Sequence, residues 1–295
     1  MVGPRGCDVA VLRRYGAGRA FGSVRAMAAT GPTPGSSGAA PVHRKSRHDA
    51  PHGFFACEAA GLRWLAAAGG ARVVQVLEVA DDHLDLVRLR PVPPGRDAAR
   101  AFGAALARTH DAGADAFGVP PDGWTGDGWF GPLDAPLPMR SGRYDAWGAF
   151  LADCRVGPVA DALRGAGLTT RADDAAFDRL RHLLHDGRWD DPDPPARLHG
   201  DLWQGNVVWT DEGATLIDPA AHGGHRETDL AMLALFGLPH LQDVLDGYQE
   251  VHPLHGGWRH RVGLHQLYPV AVHALLFGGG YVEHTRRLLH AVAPA

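Results

Sequence analysis

Pro91-Val92-Pro93-Pro94-Gly95 packs three prolines and a glycine into five residues, and no regular helix or strand can run through such a stretch. The chain must therefore organise itself in two parts around a break. Before the break, Phe54, Glu58, Leu62 and Leu65 follow helical spacing, and Gly69-Gly70 stops that helix. Val73–Leu77 and Leu84–Leu89 then read as two short strands. Beyond the break helices dominate: Ala98–Ala112, Tyr144–Ala166, Asp173–His185, Asp229–Gly237, Leu241–Val251, Gly257–Phe277 and Tyr281–Val292. One hairpin interrupts them, with Val207–Trp209 and Thr215–Ile217 flanking the turn Asp211-Glu212-Gly213. Gly113–Arg143 reads as a long loop, and Gly278-Gly279-Gly280 as a helix stop. The expectation is an α+β fold of two lobes. A small β-containing lobe spans 1–92, with 1–41 poorly defined, and a larger, mainly helical lobe spans 93–295.

Composition narrows the function. The 295 residues include 45% hydrophobic and 21% charged side chains, as in a soluble globular protein, and the formal charge of −4 argues against a nucleic-acid or anionic-membrane binder. Cys7, Cys57 and Cys154 form no C-x-x-C pair and read as reduced thiols. No apolar run is long enough to span a bilayer, and the N-terminus lacks the apolar core of a signal peptide. The chain reads as cytoplasmic, and nothing in it sets an oligomeric state.

Two residues occur once each, Lys45 and Asn206. In a chain that uses arginine almost everywhere, a surviving lysine marks a place where a compact ammonium is needed. Rarity is only a pointer, because Ile217 is also a singleton and a valine could serve there. Spacing says more. Asp201 and Asn206 lie five apart in a loop running into a strand, and the hairpin returns Asp218 beside Asn206. A carboxylate and an amide oxygen converging in this way form a hard-oxygen site suited to Mg²⁺. Asp201 is left to accept a proton from a hydroxyl. Lys45 precedes the helix that carries Glu58, and a Lys–Glu pair would hold the ammonium against ATP phosphates. Such parts serve phosphoryl transfer, where positioning and charge neutralisation carry most of the catalysis.

The segments His199-Gly200-Asp201-Leu202-Trp203-Gln204-Gly205-Asn206 and Leu216–Met232 resemble the fructosamine kinase (ketosamine kinase) family of protein-kinase-like phosphotransferases. His-Gly-Asp followed by Asn and a later Asp is shared with aminoglycoside and choline kinases. Trp203, Pro219 and Arg226–Met232 point to the narrower group. Supporting matches are Gly53-Phe54-Phe55 with Glu58–Leu62, then Trp147, Phe150 and Arg155, and Leu267-Tyr268 with His273 and Phe277-Gly278. The resemblance covers roughly Lys45 to Tyr281. It implies Asp201 as catalytic base, Asn206 and Asp218 as Mg²⁺ ligands, Lys45 on the ATP phosphates, and Glu58 orienting Lys45. It also implies Asp229 as a support for the catalytic loop and Trp203 as a wall of the sugar-amine pocket. The implied reaction phosphorylates the 3-hydroxyl of a free or protein-borne ketosamine, a deglycation activity.

The chain departs from the family at its start. Pro41-Val42-His43-Arg44 is a poor buried strand to carry the lysine. Gly16, Gly18 and Gly22, the phosphate-loop candidates, are not followed by a convincing alternating strand, and only Phe21–Met27 comes close to one. A degenerate working loop, an unproductive nucleotide site and a reading-frame error upstream of Lys45 all stay open. So do two rival functions, an aminoglycoside- or choline-type phosphotransferase and a nucleotide-binding pseudokinase. His252, His255, His260 and His265 do not have the spacing of a closed metal site.

Overall fold

The computed structural model describes residues 41–294, so the glycines and the Phe21–Met27 segment of the expected phosphate loop lie outside the described residues. The first half contains β1 (Val42–Ser46), α1 (Phe54–Ala67), β2 (Arg72–Val73), β3 (Val76–Val79) and β4 (His83–Val87). β1, β4 and β3 form an antiparallel sheet in that order. Helix α1 packs on it through Phe55, Ala59 and Leu62, which meet Leu84 and Leu86 of β4. Burying a side chain of this size contributes roughly 1.5–3 kcal/mol.

Lys45 lies on a strand, and that strand is a poor buried one as expected from Pro41–Arg44, since none of its residues is buried. It pairs with Leu84 in β1, an edge strand of the sheet as described. Alternation here is between two polar surroundings, which hydrophobic patterning cannot detect. His43 and Lys45 are half-buried, whereas Val42, Arg44 and Ser46 are exposed. Arg44 is fastened across the sheet to Asp85 at 2.7 and 2.6 Å.

The single strand expected over Val73–Leu77 is divided between two sheets. Arg72–Val73 joins the strand Gly213–Leu216 of the second half in parallel, and the Val74 N–H donates to Leu216 O at 3.0 Å. From Val76 the chain instead pairs with β4. The Pro91–Gly95 stretch is also tied down, since the Val92 N–H donates to Trp209 O at 2.8 Å.

In the second half come α2 (Arg96–Asp111), β5 (Gly128–Phe130), β6 (Leu137–Met139), α3 (Trp147–Leu151), α4 (Gly157–Gly165), α5 (Arg171–His185) and β7 (Ala196–Leu198). They are followed by β8 (Val207–Thr210), β9 (Gly213–Leu216), β10 (His222–Gly224), α6 (Glu227–Leu235), α7 (Leu241–Val251), α8 (Trp258–Phe277) and α9 (Gly280–Val292). Three details differ from the sequence reading. The Gly113–Arg143 loop contains the β5–β6 hairpin. β7 and β10 pair on either side of the Asp201 loop. The helix expected over Tyr144–Ala166 opens into a wide turn at Ala152–Val156, just before Pro158, which has no N–H to continue an α-helical ladder. Among the described residues, no helix is long and apolar enough to cross a membrane.

Candidate active site

β7 delivers the chain to His199, where a buried carboxylate takes over from the sheet. Asp229, in the first turn of α6, accepts the His199 N–H at 2.8 Å and the Gly200 N–H at 2.9 Å. His110 of α2 contacts the same carboxylate at 3.1 Å and is held in turn by the Tyr248 hydroxyl at 2.7 Å. Bonds to an ionised acceptor are worth roughly 1.5–3 kcal/mol each, so this anchor fixes the loop firmly. The His199 ring bridges to β9, contacting Ile217 O at 2.9 Å through Nε2 and accepting the Asp201 N–H at 3.3 Å through Nδ1. Gly200 has φ +83°, and a Cβ there would lie 2.2 Å from Ala220 O. Only glycine lets the loop pass this close to the strand leaving Asp218.

Four further groups converge ahead of that loop. Asn206, buried at the start of β8, donates through Nδ2 to Asp201 O at 2.8 Å, Asp201 Oδ2 at 3.2 Å and Asp218 O at 3.4 Å. With the nitrogen engaged as a donor, the amide oxygen is the atom available to a cation. Asp218 follows β9 with φ +54°, a left-handed conformation rare outside glycine. Its Oδ1 lies 3.0 Å from Lys45 Nζ. Lys45 also donates to both Glu58 oxygens at 2.8 Å. The structure thus joins Lys45, Glu58, Asp218, Asn206 and Asp201 in one chain of contacts, with Asp229 beneath it.

Electrostatics sharpen the picture. Burial alone would discharge Lys45, but Glu58 and Asp218 outweigh it and hold the ammonium above its ordinary value. Burial raises the Glu58 carboxyl, against the pull of Lys45. Burial, and then the charge of Asp218, push Asp201 up to about 7 despite the hydrogen bond from Asn206. A carboxylate with this affinity for protons is suited to taking one from a hydroxyl.

These groups sit at one end of a cavity of about 420 Å³. Trp203 lines it, its indole folded over Gly205 and its ring centroid 5.9 Å from that of Phe236. The remaining wall includes Phe277, one of the supporting matches in the sequence, and Trp124, Trp129 and Met139, which the sequence reading did not single out. The tryptophans of the Gly113–Arg143 segment were the available signal. The His110–Tyr248 support of Asp229 was missed too, since its members lie on helices far apart in sequence.

A second charged cluster lies away from the cavity. Arg226 donates to Asp193 at 2.7 Å, Arg261 bridges Asp191 at 2.8 Å and Glu227 at 2.9 Å, and His225 contacts Asp191 at 3.1 Å. His265, whose spacing in sequence suggested no metal site, joins His225 and Glu227 here, where Arg261 supplies the positive charge.

Known proteins resemble this chain over most of its length. The fructosamine kinase family model matches residues 36–294. A probable ketoamine kinase of Thermus thermophilus is 33% identical over 253 residues, 84% of this chain and 86% of that one. A solved Thermobifida fusca structure, named as a putative fructosamine-3-kinase, superposes with a TM-score of 0.79 at 44% identity, covering 87% of this chain and 86% of the other. A choline/ethanolamine kinase family protein from Mesorhizobium loti shares the fold alone, at 16% identity and a TM-score of 0.52 over 86% of this chain and 87% of its own.

Proposed function

Because the chain belongs to the fructosamine kinase family, and is therefore a phosphotransferase of protein-kinase-like fold, we propose that it transfers the γ-phosphoryl group of ATP to the 3-hydroxyl of a ketosamine. The observation that carries this reading is the convergence of Lys45, Glu58, Asp218, Asn206 and Asp201 at one end of a single cavity. The acceptor hydroxyl attacks the γ-phosphorus, the bond to the ADP oxygen breaks, and the hydroxyl proton passes to Asp201. Lys45, steadied by Glu58, holds the phosphates. Asp218 and the Asn206 amide oxygen would hold Mg²⁺, which neutralises phosphate charge and offsets the part of the rise in Asp201 proton affinity that Asp218 causes.

The cavity favours a ketosamine over an aminoglycoside. Among the described residues lining it, every Asp, Glu, Lys and Arg is one of Lys45, Glu58, Asp201 and Asp218. A polycationic acceptor would find no further carboxylate, whereas a sugar ring can stack on Trp203. Phosphorylation at this position yields a labile adduct, so the reaction serves removal of glycation from small amines or protein lysines, in the cytoplasm. The test is ADP release from ATP and Mg²⁺ with a fructosamine, and location of the phosphate by phosphorus NMR. Stabilisation by ATP with no turnover on any ketosamine would overturn the reading.

A further inference from the structure

Trp124 and Trp129 are half-buried at the cavity wall and are held in place with unusual care. Their ring centroids are 5.7 Å apart, and Trp129 lies 5.6 Å from Phe54 at the start of α1. The Trp124 indole N–H donates to Asp127 O at 3.1 Å. Its far edge rests on Gly53, which has φ +76° and where a Cβ would come within 2.5 Å of Trp124 Cη2. The backbone at the start of α1 therefore requires glycine and uses the space a side chain would fill to seat an indole. The same cavity is lined by a second aromatic run, Trp203, Phe236, His273 and Phe277, with neighbouring centroids 5.3 to 5.9 Å apart. Among the described residues lining the cavity, the Asp, Glu, Lys and Arg side chains are Lys45, Glu58, Asp201 and Asp218, joined to one another through the contacts above and Asn206, whereas both aromatic runs are uncharged apart from the His273 ring. Cys57 on the same wall stays a neutral thiol, its pKa pushed up to about 12 by burial and Glu58.

A ketosamine has a polar sugar end and an amine that carries a substituent. The sugar must lie at the charged end, where its hydroxyl reacts. We propose that the Trp124–Trp129 face receives the substituent on the amine and selects apolar, aromatic substituents over charged ones; this rests on the ketosamine reading above. A charged group placed there would lose hydration and meet no opposite charge, while an aromatic ring gains stacking on both tryptophans.

The test compares the fructose adducts of benzylamine, glycine and ethylenediamine, which carry an aromatic, an anionic and a cationic substituent. The benzylamine adduct is expected to exceed both others in kcat/KM by at least about tenfold, chiefly through KM. Trp129→Ser is expected to remove that ratio and Trp129→Phe to retain most of it. Gly53→Ala, which displaces Trp124, should lower the ratio without a new charge in the cavity. A merely structural role for the tryptophans would depress all three adducts together. Equal or better turnover of a charged adduct, or a ratio unchanged in Trp129→Ser, overturns the proposal while leaving the ketosamine reading intact. Turnover of none of the three by a folded protein that binds ATP overturns both.

Discussion

The cavity cluster and the Arg226–Arg261 cluster are both built around buried or partly buried Asp and Glu side chains, and they are tuned in opposite directions. In the cavity, Lys45 is the one Lys or Arg among the described lining residues, against Glu58, Asp201 and Asp218. In the second cluster, Asp191, Asp193 and Glu227 meet Arg226 and Arg261, with His225 among them. The cavity carboxyls Glu58 and Asp201 are raised by burial. Burial also opposes ionisation of Glu227, but His265 and Arg261 overcome it and hold that carboxyl at about 2. Asp191 is likewise held far below the ordinary carboxylate range, by His225 against burial. A closed ion network stabilises the fold; an open one leaves negative charge for a cation and a proton to balance.

The comparison breaks first at Asp201. Asp201→Asn should lower turnover by at least about 10³-fold in an ADP-release assay while leaving ATP binding in place. The same change should raise the melting temperature of the unliganded protein. A carboxyl whose folded pKa is raised loses stability as pH climbs from its ordinary value of 3.8 to about 7, and an amide escapes that loss. The gain, about 1–3 kcal/mol, should therefore be larger at pH 8 than at pH 4 by calorimetry. Retained activity would remove Asp201 from the chemistry; a fall in stability would mean its charge is already compensated.

Glu227→Gln should do the reverse. It leaves Arg261 short of a partner, so stability should fall by about 3 kcal/mol in denaturant titrations, with kcat/KM changed by less than about twofold. A loss of activity without loss of stability would erase the distinction between the clusters. A smaller effect concerns acid. The folded pKa of Glu227 lies below its ordinary value of 4.5, so its contribution is complete above that value and drains away as pH falls toward about 2. The stability difference between wild type and Glu227→Gln should shrink over that window, and a constant difference would show that packing, not charge, is responsible. The smallest effect is magnesium: millimolar Mg²⁺ without nucleotide should raise the melting temperature by on the order of 1 °C, and Asp218→Asn should abolish the shift. An undiminished shift in that variant would place the cation elsewhere.

Helices such as Arg96–Asp111, Arg171–His185 and Leu241–Val251 were legible because each buries one apolar stripe, and Leu241–Val251 has the boundaries its spacing suggested. The hairpin that returns Asp218 to Asn206 was legible for the same kind of reason, two apolar runs about an Asp-Glu-Gly turn. β1 was not, because it carries no buried apolar residue: Val42, Arg44 and Ser46 are exposed and His43 and Lys45 half-buried, so no hydrophobic alternation marks it. β7 and β10 were too short, and lie too far apart in sequence, to show a pattern. The division of Val73–Leu77 between two sheets depends on a partner some 140 residues away, which no local periodicity records. At the site, spacing sufficed where residues share a loop or hairpin. It failed for Trp124, Trp129, His110 and Tyr248, which only the folded chain brings to the cavity wall or to Asp229.

The pairing of Arg72–Val73 with β9 bears on how this molecule can be divided. By sequence, the modular border is the proline-rich stretch, yet a C-terminal fragment cut there would lack the outermost strand of its own sheet. The bared β9 edge, with unpaired amides beside Leu216, would template association between fragments. The two halves are thus not interchangeable modules joined by a tether. Recombination or splitting at Pro91–Gly95 would yield sticky pieces, whereas a cut just before Ala71 keeps that sheet whole and parts the small half instead.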